Sequence, residues 1–300
     1  MIWDNLREEE FDEAIEKSGG LCIIPLGCLE KHGQHLPVGT DYFEAMTVVE
    51  RAAREEEVVI FPVGAWLGEV SCFHSFKNPE KERLRGCIGI KSSTILTVLE
   101  ELCDEIARNG FRKILIVNSH GGNIAMLRHF IRSQSYENKS YATLSTFALD
   151  FPGTEAKRLL NKITNNKKDF PYITARDIEV LKEYSKEGYG GGHADFRETS
   201  MILAYDENLV AEDKYEAESG ISNHRTDYLS NEGIDAANIW LANYPNSYNG
   251  FAPYGASQTI GEAMIQISVN RLKRIFKLLK EDEDCVRIAS MQCKIEQNNI

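Results

Sequence analysis

Short apolar runs alternate with longer stretches of helical periodicity along this chain. Leu21-Cys22-Ile23-Ile24-Pro25-Leu26 and Val58-Val59-Ile60-Phe61-Pro62-Val63 read as buried strands. Lys113-Ile114-Leu115-Ile116-Val117-Asn118 is the strongest strand signal. Tyr141 to Ala148 predicts a fourth strand, and Met201-Ile202-Leu203-Ala204-Tyr205 a fifth. Between them lie amphipathic segments. Leu6 to Lys17 predicts a short helix, and residues 42–55 a second with Phe43, Met46, Val49 and Ala52 on one side. A third, capped by Ser92 or Ser93 and closed by Asn109-Gly110, carries the stripe Ile95, Val98, Leu99, Leu102, Ile106. Another follows Asn123, and a long last helix runs from about Ser257 to Lys280. Strands alternating with helices predict an α/β fold: a three-layer α/β/α domain around a mostly parallel sheet.

The chain has 300 residues, and no low-complexity linker divides it. One domain over 1–281 is expected, with 282–300, which holds a Glu-Asp-Glu-Asp run, as a poorly ordered tail. Lys plus Arg number 34 and Asp plus Glu 46, a net charge of −12. That balance disfavours nucleic-acid partners, because a phosphate backbone would be repelled. No apolar run approaches the roughly 18 residues that span a bilayer, so no membrane partner is expected. The acidic N-terminus does not read as a signal peptide. Seven cysteines, at 22, 28, 72, 87, 103, 285 and 293, form no Cys-x-x-Cys pair. Free thiols in a reducing cytoplasm are the expectation.

Metal-ligand residue types gather at three places, two of them directly after a predicted strand. Ligands collect at the carboxyl ends of strands in open α/β sheets. The first is Gly27-Cys28-Leu29-Glu30-Lys31-His32-Gly33-Gln34-His35-Leu36-Pro37-Val38-Gly39-Thr40-Asp41. Glu30 and His32, two apart, share a face if the segment is extended. The second is Asn118-Ser119-His120-Gly121-Gly122-Asn123, where glycines after a strand allow a ligand or ion to approach the backbone. The third is Gly190-Gly191-Gly192-His193-Ala194-Asp195-Phe196-Arg197-Glu198-Thr199-Ser200, whose glycines supply either mobility or close approach. Singly, each has a plain explanation: Asp41 caps a helix, His120 rides a glycine turn, and His193 sits in an exposed linker. Together, Glu30, His32, Asp41, His120 and Glu198 offer two imidazoles and three carboxylates. That mixture suits two divalent cations such as Zn, Mn or Fe. The +4 of two ions against −3 leaves room for one hydroxide, and His193 remains as a proton-transfer group.

The three motifs, in this order, resemble those of the creatininase (creatinine amidohydrolase) family. Pro25 to Asp41 is similar to the family's P-x-G-S-x-E-Q-H-G-P-H-L-P-x-x-T-D, Asn118 to Asn123 to its N-x-H-G-G-N, and His193 to Ser200 to its H-A-x-x-x-E-T-S. Gly250 to Ser257 resembles the stretch leading into the family's last helix. The resemblance implies one ion held by Glu30, Asp41 and His120. A second is then held by His32, Asp41 and Glu198, with Asp41 bridging and His193 catalytic. It also implies a homo-oligomer, often a hexamer. Creatininase has a glutamate ligand where this chain has Gly122, so Glu198 must supply it. A stacking tryptophan is replaced here by Tyr189. Lys31 and Gln34 also depart from the pattern, so creatinine itself is not the expected substrate.

The expected activity is therefore a metal-dependent hydrolase that opens a small cyclic substrate at a C–N bond. Tyr189, His35, His74, Gly121 and Gly122 are candidate substrate contacts. Two alternatives use the same machinery. One is ring opening of an inositol-derived cyclic ketone of the 3-dehydro-scyllo-inosose type. The other is deamination or deformylation of a formamidopyrimidine-type compound. A third, non-enzymatic alternative is a silent assembly or peptide-processing subunit.

Overall fold

Four parallel strands run β2-β1-β3-β4 in a computed structural model that describes residues 1–70, 84–137, 139–186, 192–282 and 284–289. They are β1 (Leu21–Leu26), β2 (Val59–Ile60), β3 (Lys113–Asn118) and β4 (Ala142–Phe147). β1 and β3 pair in register over six residues, from Leu21 opposite Lys113 to Leu26 opposite Asn118. The near-continuous apolar runs are explained by burial on both faces. Leu21 and Ile23 of β1 join Leu115 and Val117 of β3 in one core. Cys22, Ile24 and Leu26 join Ile114 and Ile116 in the other.

The helices divide between those faces. The second core is closed by α1 (Phe11–Lys17), α3 (Ser92–Arg108) and α4 (Asn123–Ser133). The first is closed by α2 (Thr40–Glu55) and a run of later elements. After β4 come α5 (Phe151–Thr154), α6 (Ala156–Asn165), α7 (Ala175–Lys186) and α8 (Phe196–Asp206). Then follow α9 (Asp227–Ser230), α10 (Ile239–Asn243), α11 (Gln258–Glu281) and α12 (Asp284–Ala289). The sheet with helices on both faces is the three-layer arrangement expected.

Several boundaries differ from the sequence reading. Met201 to Tyr205 is not a strand but lies inside α8. Every residue from Phe196 to Leu203 is buried, so the helix shows no polar face and its apolar run carries no periodicity. β2 stops at Ile60 rather than Val63. Phe61 donates its N–H to Ile23 O at 2.8 Å, and Pro62 has no N–H to continue the ladder. Glu8–Glu10 is a 3-10 turn, so the first helix begins only at Phe11. Lys91, not a serine, precedes α3, and no side chain caps it. The segment expected as a tail opens with α12, which buries Val286 and lies against β4. Among the described residues no helix is long and apolar enough to cross a membrane.

Strand order puts a switch point between β1 and β3: the chain steps from β1 to one side for β2, then crosses to the other for β3. The crevice at their carboxyl ends is where such sheets bind ligands.

Candidate active site

Three loops fill that crevice. Beyond β1, residues 27–39 fold back on themselves: Glu30 N–H donates to Val38 O at 3.0 Å and Leu36 N–H to His32 O at 3.4 Å. This return brings Asp41, in the first turn of α2, beside Glu30. Gly27 is required there, since a Cβ would meet Tyr42 N at 2.5 Å. Beyond β3, two asparagines set the turn. Asn118 Nδ2 donates to His120 O at 2.7 Å, while Asn123 Nδ2 donates to Asn118 Oδ1 at 3.0 Å and to Gly27 O at 3.1 Å. Gly122 lies under the His120 ring, where a Cβ would fall 2.4 Å from Nε2.

The third loop meets the first two through main-chain pairing. His193 and Asn249 exchange N–H···O bonds of 2.8 and 2.9 Å. A Cβ on Gly192 would sit 1.8 Å from Asn249 O. For Gly192, close approach rather than mobility is the reason for glycine. Asp195 caps α8, accepting from Arg197 N at 2.9 Å and Glu198 N at 3.2 Å. Glu198 thus projects from the first turn, and its Oε2 also accepts from Ala194 N at 2.6 Å.

The result is a buried cluster. His120 Nδ1 lies 3.2 Å from Glu30 Oε1 and 3.1 Å from Asp41 Oδ2. His32 Nε2 lies 3.7 Å from both Asp41 Oδ2 and Glu198 Oε2, and 4.0 Å from Glu30 Oε1. His193 Nδ1 is 3.4 Å from Glu30 Oε1. Each imidazole is oriented by its other nitrogen: His32 Nδ1 bonds to Glu30 O at 3.0 Å, His120 Nε2 to Glu69 O at 2.8 Å and His193 Nε2 to Lys31 O at 2.9 Å. Those carbonyls can only accept, so in each neutral imidazole the inward nitrogen is the one with the lone pair that metal ligation requires. His32 Nε2 is fully buried with no hydrogen-bond partner.

Such a site also strains its own charges. Burial pulls the His32 imidazole down, but Asp41, Glu198 and Glu30 outweigh it and lift it to about 10. His120 is opposed by burial yet raised well above its usual value, by Glu30 first. Burial pushes Glu198 up to about 8. Burial also acts upward on Asp41 and Glu30, but the neighbouring histidines hold both below the usual carboxylate range. His193 is lowered, by burial first and then by His32. A cluster that holds this many protons is suited to exchange them for cations. Within it, Cys28, Glu30, Asp41 and His120 form one group whose ligand atoms all lie within 4.8 Å of one another, and His32, Asp41 and Glu198 form another. Asp41 belongs to both.

The cluster opens into a cavity of about 610 Å³, a volume suited to a small molecule. Its walls include Phe147, Phe151, Arg197 and Trp240. Trp240 meets the His193 ring edge-on, with centroids 5.2 Å apart. Gly121 and Gly122 line it; His35 does not. His35 sits behind the wall, 2% exposed, with Nε2 2.9 Å from Ala194 O, so it braces the loop. Tyr189 and His74 lie outside the described residues. Sequence reasoning did not single out Cys28, whose Sγ is 3.0 Å from Asp41 Oδ2, or Glu44, buried beside the cluster and accepting from Ser119 Oγ at 3.2 Å. Spacing carried a signal for both. Cys28 alternates with Glu30 and His32, and Glu44 stands one helical turn from Asp41.

Comparison with known proteins agrees with this architecture. The creatininase (creatinine amidohydrolase) family profile matches residues 4–276. Creatinine amidohydrolase of Pseudomonas putida is 21% identical over 217 residues, covering 69% of this chain and 72% of that protein. The mycofactocin precursor peptide peptidase of Mycobacterium tuberculosis (strain CDC 1551 / Oshkosh) is 31% identical over 107 residues, but the match spans only 35% of this chain and 42% of the peptidase. A crystal structure of creatinine amidohydrolase superposes with a TM-score of 0.68 at 17% identity, covering 94% of this chain and 98% of that one. Creatininases described as a Zn-Zn type and as a Mn form share the fold, with TM-scores of 0.68 and 0.64. The chain belongs to the creatininase family, whose members are metal-dependent amidohydrolases.

Proposed function

We propose that this protein hydrolyses a C–N bond of a small cyclic amide, using two divalent cations held in the buried cluster. Glu30, Asp41 and His120 would hold one ion, and His32, Asp41 and Glu198 the other. The observation that carries this reading is the pair of inward ring nitrogens, His32 Nε2 and His120 Nδ1, facing three carboxylates. Bound there, the cations supply Lewis acidity and lower the pKa of water toward about 7.

The chain's own residues do the rest. His193 borders the cavity with Nε2 committed to Lys31 O, so Nδ1 is the atom that takes and returns a proton. Its depressed pKa leaves it neutral near pH 7, ready to accept that proton and deliver it to the leaving nitrogen. Phe147, Phe151 and Trp240 exclude water and present flat apolar walls to a planar ring. Those walls favour a planar amide over a polyol-derived ketone, which would need many polar contacts.

A second reading, cleavage of a peptide C–N bond, is favoured by the segment shared with the mycofactocin precursor peptide peptidase. The chemistry is the same and only the substrate differs.

Metal analysis combined with a hydrolysis screen tests the proposal. Cyclic amides, inososes, formamidopyrimidines and short peptides are offered to protein loaded with zinc or manganese. Two ions per chain and turnover of a cyclic amide are expected. Glu198→Gln should lose metal. His193→Ala should keep both ions and lose roughly 10²–10⁴-fold in rate. Full metal content and full activity in both variants would refute the assignment.

A further inference from the structure

We infer that Cys28 is a thiolate ligand of the first cation, so this site is biased toward thiophilic metals. The inference rests on the dinuclear reading above and adds a ligand to it. Cys28 is 0% exposed and lies two residues before Glu30. Its Sγ reaches Asp41 Oδ2 at 3.0 Å. With Glu30 Oε1, Asp41 Oδ2 and His120 Nδ1, it completes a group of four ligand atoms, one from each residue, within 4.8 Å of one another.

Four donors of this kind match a closed tetrahedral set. Bonds of about 2.0–2.3 Å around one zinc ion separate neighbouring ligand atoms by about 3.3–3.6 Å. The edges here are 3.0 Å from Sγ to Oδ2, 3.1 Å from Nδ1 to Oδ2 and 3.2 Å from Nδ1 to Oε1. On these three edges an ion at the centre needs outward shifts of only a few tenths of an ångström.

Cys28 lies just beyond the end of β1, on the same loop as Glu30 and His32. On binding, the sulfur–metal bond forms and the S–H proton passes to solvent. A soft sulfur in an otherwise hard O/N set raises affinity for Zn, Co or Cd relative to Mn.

Cobalt(II) substitution of the metal-stripped protein reads the bond directly. The native chain should show an intense near-ultraviolet sulfur-to-cobalt charge-transfer band. Cys28→Ser should abolish the band while the visible ligand-field bands persist. Cys87→Ser, which removes the thiol that accepts from Lys31 N at 3.1 Å, should leave it intact. In competition, Cys28→Ser should lose at least ~10-fold of its preference for zinc over manganese, the lower bound seen when even an outer partner of a metal ligand is lost. Cobalt bound at two per chain with no charge-transfer band would overturn the thiolate assignment and leave the dinuclear site standing. A band that survives Cys28→Ser would overturn it too. Absence of any bound cobalt would sink both.

Discussion

Asp195 shows how one side chain can set a ligand. It is fully buried, and its carboxylate gathers the N–H groups of Gly192, Arg197 and Glu198. It thereby caps α8, fixes the loop that carries His193 and aims Glu198 at His32. An N-cap substituted by alanine typically costs about 1 kcal/mol, up to ~2. Asp195→Ala should therefore lower stability by about 1–2 kcal/mol in urea titration and weaken the ion contacted by Glu198. Asp195→Asn, which still caps, should recover most of the stability. Equal urea midpoints for the native chain and Asp195→Ala would show that the cap does not act as described. Ala194, just before it, is held at φ +57° with its N–H on Glu198 and its C=O on His35. A non-glycine residue there costs of order 1 kcal/mol, which the hydrogen bonds on either side offset.

At the scale of elements, the site depends on two helices that approach unusually closely. Gly261 of α11 faces Ser200 of α8, and a Cβ on it would lie 1.8 Å from Ser200 O. Helix propensity alone makes Gly→Ala stabilising by about 1 kcal/mol. Backbone contact makes it destabilising, and overpacking of this sort costs about 1–3 kcal/mol. The contact should win because neither backbone can move without disturbing both cores. Gly261→Ala is expected to unfold at lower urea and to bind metal less tightly, since α8 carries Glu198. A rise in the urea midpoint would mean that the helices have room to part. The same packing explains what the sequence left hidden. β1 and β3 were legible because burial on both faces makes an apolar run, whereas β4, at the sheet edge with Ser145 exposed, is the more polar strand. That ligands gather at the carboxyl ends of the strands followed from strand and helix alternation. α8 was misread as a strand because burial on every side erased the 3.6-residue pattern. His32, Glu30 and His120 were legible as metal-ligand types after strands. Cys28 shares the alternating spacing of Glu30 and His32, but a buried thiol also looks like a small apolar residue until its neighbours are known. Glu44 stands one helical turn from Asp41, but its contact with Ser119, 75 residues away, is visible only in the fold.

For the whole molecule, the question is what the fold sacrifices to bury this cluster. Two apolar cores hold β1 and β3 rigidly, so the ligands cannot disperse when no ion is present. Protons must then balance the charge. His32, with an ordinary value of 6.5, is lifted to about 10, and His120 moves the same way. Their contribution is complete below about pH 6.5 and is lost as pH rises toward 10. Glu198 is lifted from 4.5 to about 8, so its burial costs stability progressively between those values. These groups act with one sign: the folded, metal-free chain holds more protons than the unfolded chain, and alkali destabilises it. Asp41 and Glu30 act oppositely, since their lowered values favour the fold above about pH 4 and fail it in acid. Metal-free protein should therefore be most stable between about pH 5 and 6.5, with a thermal midpoint that falls steadily toward pH 9. Two divalent cations replace those protons, so the loaded protein should show a higher midpoint and a flatter profile over the same range. The net charge of −12 adds repulsion at high pH in both forms, so the difference between the two curves isolates the site. Differential scanning calorimetry with and without chelator measures it. Parallel curves from pH 6 to 9 would mean that the buried cluster exchanges no protons for cations, and the metal centre proposed for this chain would fall with that result.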